Sequence, residues 1–176
     1  MRAAPFKMSF RKFYPTEYYS SAYLIDFDEL YRKGFRGLLT DVDNTLVPHD
    51  APADERALQL ITDLKARGWQ ICIISNNDEP RVRPFADLAD CPYVYKAGKP
   101  SAAGYLKGMQ ITGTGREETL FLGDQLFTDI WGANQAGIRS ILVQPMARDP
   151  KFHIRLKRAG EAVVKFLCKN HFQLKK

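Results

Sequence analysis

Cysteine is scarce in this sequence. Cys72, Cys91 and Cys168 are odd in number and widely spaced, which argues against a disulfide framework or a zinc cluster and fits a reducing cytoplasm. Long apolar runs are missing too: no stretch approaches the ~18 uncharged residues that a membrane span needs. No apolar segment follows the basic N-terminus, so no secretory signal is expected. Internal repeats and low-complexity tracts are absent. Nor is there the surplus of charge over apolar residues that marks disorder, because 45% of residues are hydrophobic and 26% charged. At 176 residues the chain has the size of one domain, and such a domain buries roughly 70% of its unfolded surface.

Acid is lacking at both ends. Residues 1–12 carry Arg2, Lys7, Arg11 and Lys12 with no carboxylate, and residues 151–176 carry eight Lys/Arg against Glu161 alone. The net charge is only +6, so the body between the ends is mildly acidic. Basic ends of this kind suit anionic partners such as lipid or nucleic acid, or are simply solvated.

From residue 36 onward, strand patterns alternate with helix patterns. Gly37–Val42, Trp69–Ile74, Tyr93–Tyr95, Thr119–Leu122 and Ile138–Val143 read as strands. Residues 54–67 place Ala57, Leu60, Ile61 and Leu64 on one helical face before Gly68. A second helix starts at Asp78 and Pro80, a third at Pro100, and a fourth covers 128–136. Strands separated by helices imply βαβ units and a mostly parallel five-stranded sheet covered on both faces. Right-handed crossovers put all the strand C-terminal ends at one edge, where ligands bind in such folds.

The residues that follow each strand carry the chemistry. Asp41 and Asp43 follow the first, Ser75-Asn76-Asn77 the second, Gly98-Lys99-Pro100 the third, and Gly123-Asp124 the fourth, with Asp129 at the next helix start. Asp41, Asp43 and Asp124 repel one another unless a hard cation joins them, and Mg²⁺ takes carboxylates, waters and phosphate oxygens. Ser75 can donate to a phosphoryl oxygen, and Lys99 can neutralise developing charge. A metal, a cation and a carboxylate nucleophile are what phosphoryl transfer through a covalent intermediate requires. A second aspartate can protonate the leaving alcohol and then activate water.

At these residues the sequence resembles the haloacid dehalogenase (HAD) superfamily. Asp41-Val42-Asp43-Asn44-Thr45-Leu46, Ser75, Lys99, and Gly123-Asp124 with Asp129 match its four motifs in order. The resemblance implies a HAD-like Rossmannoid three-layer sandwich and a Mg²⁺-dependent phosphatase. It makes Asp41 the nucleophile and a metal ligand, and Asp43 the general acid/base that binds the metal through its backbone carbonyl. Lys99 orients Asp41 and stabilises the transferred group, while Ser75 and the amide of Asn76 hold the phosphate. Thr45 supports the substrate-binding loop, Asp124 is the third metal ligand, and Asp129 supports the site from behind. One helix and one strand fill the chain from Leu46 to Ser75, and again from Ser75 to Lys99, so no cap domain is expected. Asp-Val-Asp-Asn-Thr-Leu-Val, Ala97-Gly98-Lys99-Pro100 and Gly123-Asp124-Gln125-Leu126-Phe127-Thr128-Asp129 resemble the YqeG-like branch. That branch is similar to mitochondrial phosphatases acting on phosphatidylglycerophosphate.

The flanks divide the chain into an aromatic and basic arm over 1–35, the core over 36–150 and a basic amphipathic helix over 151–176. The arm is expected to pack its aromatics on the body, with 1–13 as the stretch suited to a membrane. The tail places Phe152, Leu156, Ala159, Val163 and Phe166 on one face, expected against the sheet, with its basic side in water. The basic ends suit peripheral contact with the inner face of an anionic membrane. The expected substrate is phosphatidylglycerophosphate. Alternatives are a soluble phosphometabolite or phosphoprotein, or an RNA- or ribosome-binding protein without turnover; no DNA contact is expected. The first alternative differs in needing no lipid surface, and the second is disfavoured by the intact Asp41/Asp43 pair.

Overall fold

A computed structural model describes residues 10–148 and 152–175. Arg2 and Lys7, in the stretch expected to suit a membrane, lie outside the described residues. The strands are β1 (Glu17–Tyr19), β2 (Gly37–Thr40), β3 (Gln70–Ile74), β4 (Tyr93–Val94), β5 (Thr119–Gly123), β6 (Arg139–Val143) and β7 (Leu174–Lys175). They form one sheet in the order β4-β3-β2-β5-β6-β1-β7, parallel at every pairing. The helices are α1 (Phe27–Arg32), α2 (Glu55–Ala66), α3 (Glu79–Ala89), α4 (Ala102–Thr112), α5 (Trp131–Ala136) and α6 (Phe152–Leu167).

The three-layer α/β architecture agrees with the sequence reading, but the sheet has seven strands rather than five. Both additions are short strands from the flanks, β1 pairing with β6 and β7 forming the edge beyond it. Tyr18 pairs with Leu142 on one side and Leu174 on the other, so the N-terminal arm bridges the core sheet and the C-terminal tail. Glu17 fixes this edge by accepting hydrogen bonds from Arg139 on β6 and from Lys175 on β7.

The central strands are buried on both faces, and their alternation sends side chains to two cores. Leu38, Ile71, Ile73, Leu120 and Leu122 face one side, with Ile61, Leu64 and Trp69. Leu39, Cys72, Ile74 and Phe121 face the other, with Tyr105 and Ala133. A third cluster joins Phe13, Leu126, Ile130, Leu142 and Val164 beneath α6. Asp54 starts α2 by accepting from the Ala57 amide at 2.8 Å. Thr40 is level with Ile73 and Leu122, so β2, β3 and β5 end together. Among the described residues no inserted domain separates these ends from solvent.

Candidate active site

The turn after β2 holds Asp41 and Asp43. Asn44 takes the left-handed φ of 60° that this turn needs, and asparagine adopts it more readily than most residues. Its amide donates to Val47 O at 2.7 Å. The two aspartates then diverge. Asp41 turns toward Lys99, whose Nζ lies 3.1 Å from Asp41 Oδ1 and donates to Asp129 Oδ1 at 2.7 Å. Asp43 Oδ1 accepts from Asp50 N at 2.9 Å and Arg81 Nη2 at 2.5 Å, and its Oδ2 accepts from Asn77 Nδ2 at 2.6 Å.

Lys99 is held at its backbone as well as at its tip. Its amide donates to Asn76 Oδ1 at 2.7 Å, and its carbonyl accepts from Asn76 Nδ2 at 3.0 Å. The Asn76 side chain therefore sets the lysine, a role separate from the backbone contact expected of it. Ser75 is buried beside it, and its Oγ accepts from Asn77 N at 3.2 Å.

The turn after β5 brings in Asp124 and Asp129. Asp129 Oδ2 accepts from the amides of Asp124 and Gln125 at 3.1 and 3.0 Å. Both oxygens of Asp129 are thus engaged. Gly123 permits this closeness, since a Cβ there would sit 2.6 Å from the Asp129 carboxylate. Arg158 on α6 donates to Asp124 O at 2.7 Å and pairs with Asp124 Oδ2. Glu161, one turn on, is buried and accepts from the Leu126 amide at 2.8 Å.

Burial pushes the Asp41 carboxyl up to about 7; Lys99 opposes the rise, while Asp129 and Asp43 add to it. Burial also holds Asp124 well above the carboxylate range against the pull of Arg158. For Lys99, burial acts to lower its pKa, but the Asp129 and Asp41 carboxylates outweigh it and raise the ammonium above its ordinary value.

Carboxylate oxygens of Asp41, Asp124 and Asp129 lie within 4.8 Å of one another. Asp124 Oδ1 is buried and finds no hydrogen-bond partner among the described residues. An all-oxygen acidic cluster with an unsatisfied buried carboxylate oxygen fits a hard divalent cation. Asp129, its oxygens already taken, serves as a brace for Lys99 and the Asp124 turn. The Asp43 side chain belongs to a different group with His49 and Asp50.

A pocket of about 340 Å³ lies above these groups, lined by Asp41, Asp43, Ser75, Asn76 and Lys99. The structure thus unites those expected residues. Thr45 is buried with no hydrogen-bond partner for its Oγ1 among the described residues, and it stands behind the loop rather than on the pocket wall. His49, Asn77, Gln125 and Thr128 also line the pocket, as do Ile154 and Lys157 from α6. Asn77 was visible beside Ser75. Arg81, Arg158 and Glu161 carried no local signal, because their partners are distant in sequence.

Residues 28–137 match the family model of haloacid dehalogenase-like hydrolases. The chain is 35% identical over 150 residues to the probable phosphatase YqeG of Bacillus subtilis (strain 168), covering 85% of this chain and 87% of that protein. It is 27% identical over 155 residues to phosphatidylglycerophosphate phosphatase 1, chloroplastic/mitochondrial, of Arabidopsis thaliana, covering 78% of this chain and 42% of that protein. Among solved structures, the cobalt-bound deoxy-D-mannose-octulosonate 8-phosphate phosphatase of Haemophilus influenzae has the same fold, with a TM-score of 0.50 at 14% identity over 76% of this chain and 89% of that one.

Proposed function

The chain belongs to the haloacid dehalogenase-like hydrolases and is a phosphatase of that family, and we propose that it hydrolyses phosphatidylglycerophosphate through an aspartyl-phosphate on Asp41. The observation that carries the chemistry is the buried Asp41–Lys99–Asp129 chain at the floor of the pocket. The name of the plant relative supports the choice of substrate.

In this reading an Asp41 carboxylate oxygen attacks phosphorus. The P–O bond to the substrate alcohol breaks as the new bond to Asp41 forms. Lys99 lies beside the attacking carboxylate and offsets charge on the phosphoryl oxygens. Ser75 and the Asn76 amide hold those oxygens. Asp43 gives a proton to the departing alkoxide, then takes one from a water that attacks phosphorus as the P–O bond to Asp41 breaks, releasing phosphate and restoring the Asp41 carboxylate. Arg81 and Asn77 donate to the Asp43 carboxylate and set its position beside the pocket. General acid–base assistance of this kind contributes about 10²–10⁴-fold. Asp41 and Asp124, with the Asp43 backbone carbonyl, would hold Mg²⁺. That ion would neutralise phosphate charge and the repulsion between the carboxylates.

The test is phosphate release from phosphatidylglycerophosphate in mixed micelles with Mg²⁺, comparing the unaltered protein with Asp41→Asn. Release that the variant abolishes supports both chemistry and substrate. Cleavage of an aryl phosphate through Asp41 without release from the lipid keeps the mechanism and discards the substrate.

A further inference from the structure

Helix α6 packs the opposite way round from the sequence expectation. Beneath it lie Glu161, Val164 and Cys168. Lys157 faces the phosphate pocket, Arg158 reaches Asp124, and Lys165 Nζ sits 4.9 Å from the centre of the Tyr18 ring. The polar side thus meets the body. Solvent meets Leu156, Val163, Phe166 and Leu167, which are 66%, 57%, 80% and 47% exposed. Phe152, which the sequence places on the same stripe, has its side chain outside the described residues. Amphipathic helices of globular proteins normally put such a stripe inside, and contiguous apolar surface marks an interaction site.

The edges of the stripe are cationic. Arg155 is exposed beside it and Lys169 is exposed just past the C-terminal end of the helix, whereas Glu161, the sole acid of the helix, is buried on the other side. On one flank a groove of about 530 Å³ has Pro145, Ala147 and Leu156 in its walls and Arg148 and Arg155 among its lining residues. That flank is tied to the catalytic turn, since Ala147 N donates to Asn44 Oδ1 at 3.0 Å and Met146 N to Asn44 O at 3.3 Å.

We propose that the outer face of α6, with this groove, docks on an anionic lipid surface. The apolar side chains enter the interface while Arg148, Arg155 and Lys169 meet the headgroups. Apolar residues framed by cations are the composition of an interfacial helix. A second copy of this chain would set the same cations against one another. The proposal rests on the phosphatase reading only for what docking achieves. Because α6 lines the pocket with Lys157 and Ile154 on its inner side, docking its outer side brings the pocket within a helix diameter, ~10–12 Å, of the lipid.

Flotation of the full-length protein with vesicles tests this, in EDTA so that turnover plays no part. Mixed phosphatidylglycerol–phosphatidylcholine vesicles should carry the protein, and pure phosphatidylcholine vesicles should carry much less. Val163→Ser/Phe166→Ser should lower the partition coefficient roughly 10- to 100-fold. Arg155→Gln/Lys169→Gln should lower it roughly tenfold and weaken its salt dependence. Leu88→Ser, an equally exposed position on α3, should change nothing. The same variants should keep aryl-phosphate turnover with Mg²⁺, which reports an intact fold. Absence of flotation, flotation indifferent to Val163 and Phe166, or a concentration-dependent dimer lost in that double variant without lipid binding would each overturn the proposal. Flotation with no aryl-phosphate cleavage would leave the docking surface standing and remove the catalytic reading instead.

Discussion

Asp41→Asn is expected to remove turnover and, without divalent ion, to make the fold more stable. Asp41 is only 6% exposed, and burial is the main reason its carboxyl moves from the ordinary 3.8 up to about 7. A group that binds its proton more tightly in the folded chain than in the unfolded one costs stability whenever it is ionised. The cost is absent below the unfolded value of 3.8, grows between there and about 7, and is complete above it. At ~1.4 kcal/mol per pH unit the whole shift would amount to about 4 kcal/mol. Relaxation and water penetration reduce such penalties, leaving about 1–3 kcal/mol for the neutral isostere to recover. In a chain of 176 residues this is a rise of roughly 3–8 °C in Tm. The assay is thermal unfolding by circular dichroism in EDTA, at about pH 8 and about pH 5. The gap between the two proteins should be wide at the higher pH and less than half as large at the lower, where only the early part of the rise between 3.8 and about 7 has accrued. Mg²⁺ should then raise the unaltered protein more than the variant, because an ion that binds only the folded state stabilises it. A variant less stable than its parent at the higher pH, or a gap indifferent to pH, would refute the reasoning. It would mean that the attraction of Lys99 exceeds the cost of burial.

Asp129→Ala, in the same cluster, should have the opposite sign. Its carboxylate satisfies Lys99 and two amides, so truncation should cost about 3–5 kcal/mol in urea unfolding, and a loss under about 1 kcal/mol would contradict a bracing role. Gly123→Ala would press a Cβ to 2.6 Å from that carboxylate. It should lose about 1–3 kcal/mol of stability and lower kcat more than it raises KM, whereas ordinary kinetics would show that the turn yields freely. Glu17→Gln reports on the sheet edge. Burial acts to raise the Glu17 carboxyl, but hydrogen bonds from Lys175, Arg139 and Tyr19 outweigh it and bring it from 4.5 to about 2. Its stabilisation is therefore present above 4.5 and lost as pH falls through about 2. Solvent around Lys175 limits it to about 1–2 kcal/mol. Urea midpoints of variant and parent should differ at neutral pH and converge in acid, and a constant gap would argue against an ionised Glu17 as the clasp.

The core strands were legible because burial on both faces leaves dense apolar runs such as Ile71–Ile74, which need no partner to be recognised. The convergence of the candidate site residues was legible for a related reason, since each follows a strand whose parallel pairing brings it to one edge. The two short flank strands escaped notice. Glu17–Tyr19 and Leu174–Lys175 are too short to show alternation, and their pairing is set by contacts between opposite ends of the chain. Arg81 was hidden similarly. On α3 it reads as a solvated helical arginine until the fold carries it to Asp43.

The tail helix shows where periodicity stops informing. The pattern of Leu156, Ala159, Val163 and Phe166 identifies a shared face but does not say whether that face looks inward. Burying a large apolar side chain gains about 1.5–3 kcal/mol, so leaving Val163 and Phe166 in water forgoes several kcal/mol. Two polar anchors oppose that gain. Glu161 accepts from the Leu126 amide, and Arg158 holds both the backbone and the carboxylate of Asp124. Turning the helix over would leave the buried Asp124 carboxyl and the Leu126 amide without their partners, and each buried polar group so left costs about 1–3 kcal/mol, more if it is charged. The two sums are of similar size, so the helix faces as it does because the phosphate site uses its polar side. The apolar side then regains its forgone energy only against a second surface. This is why the orientation of α6, rather than its composition, motivates the proposed lipid docking.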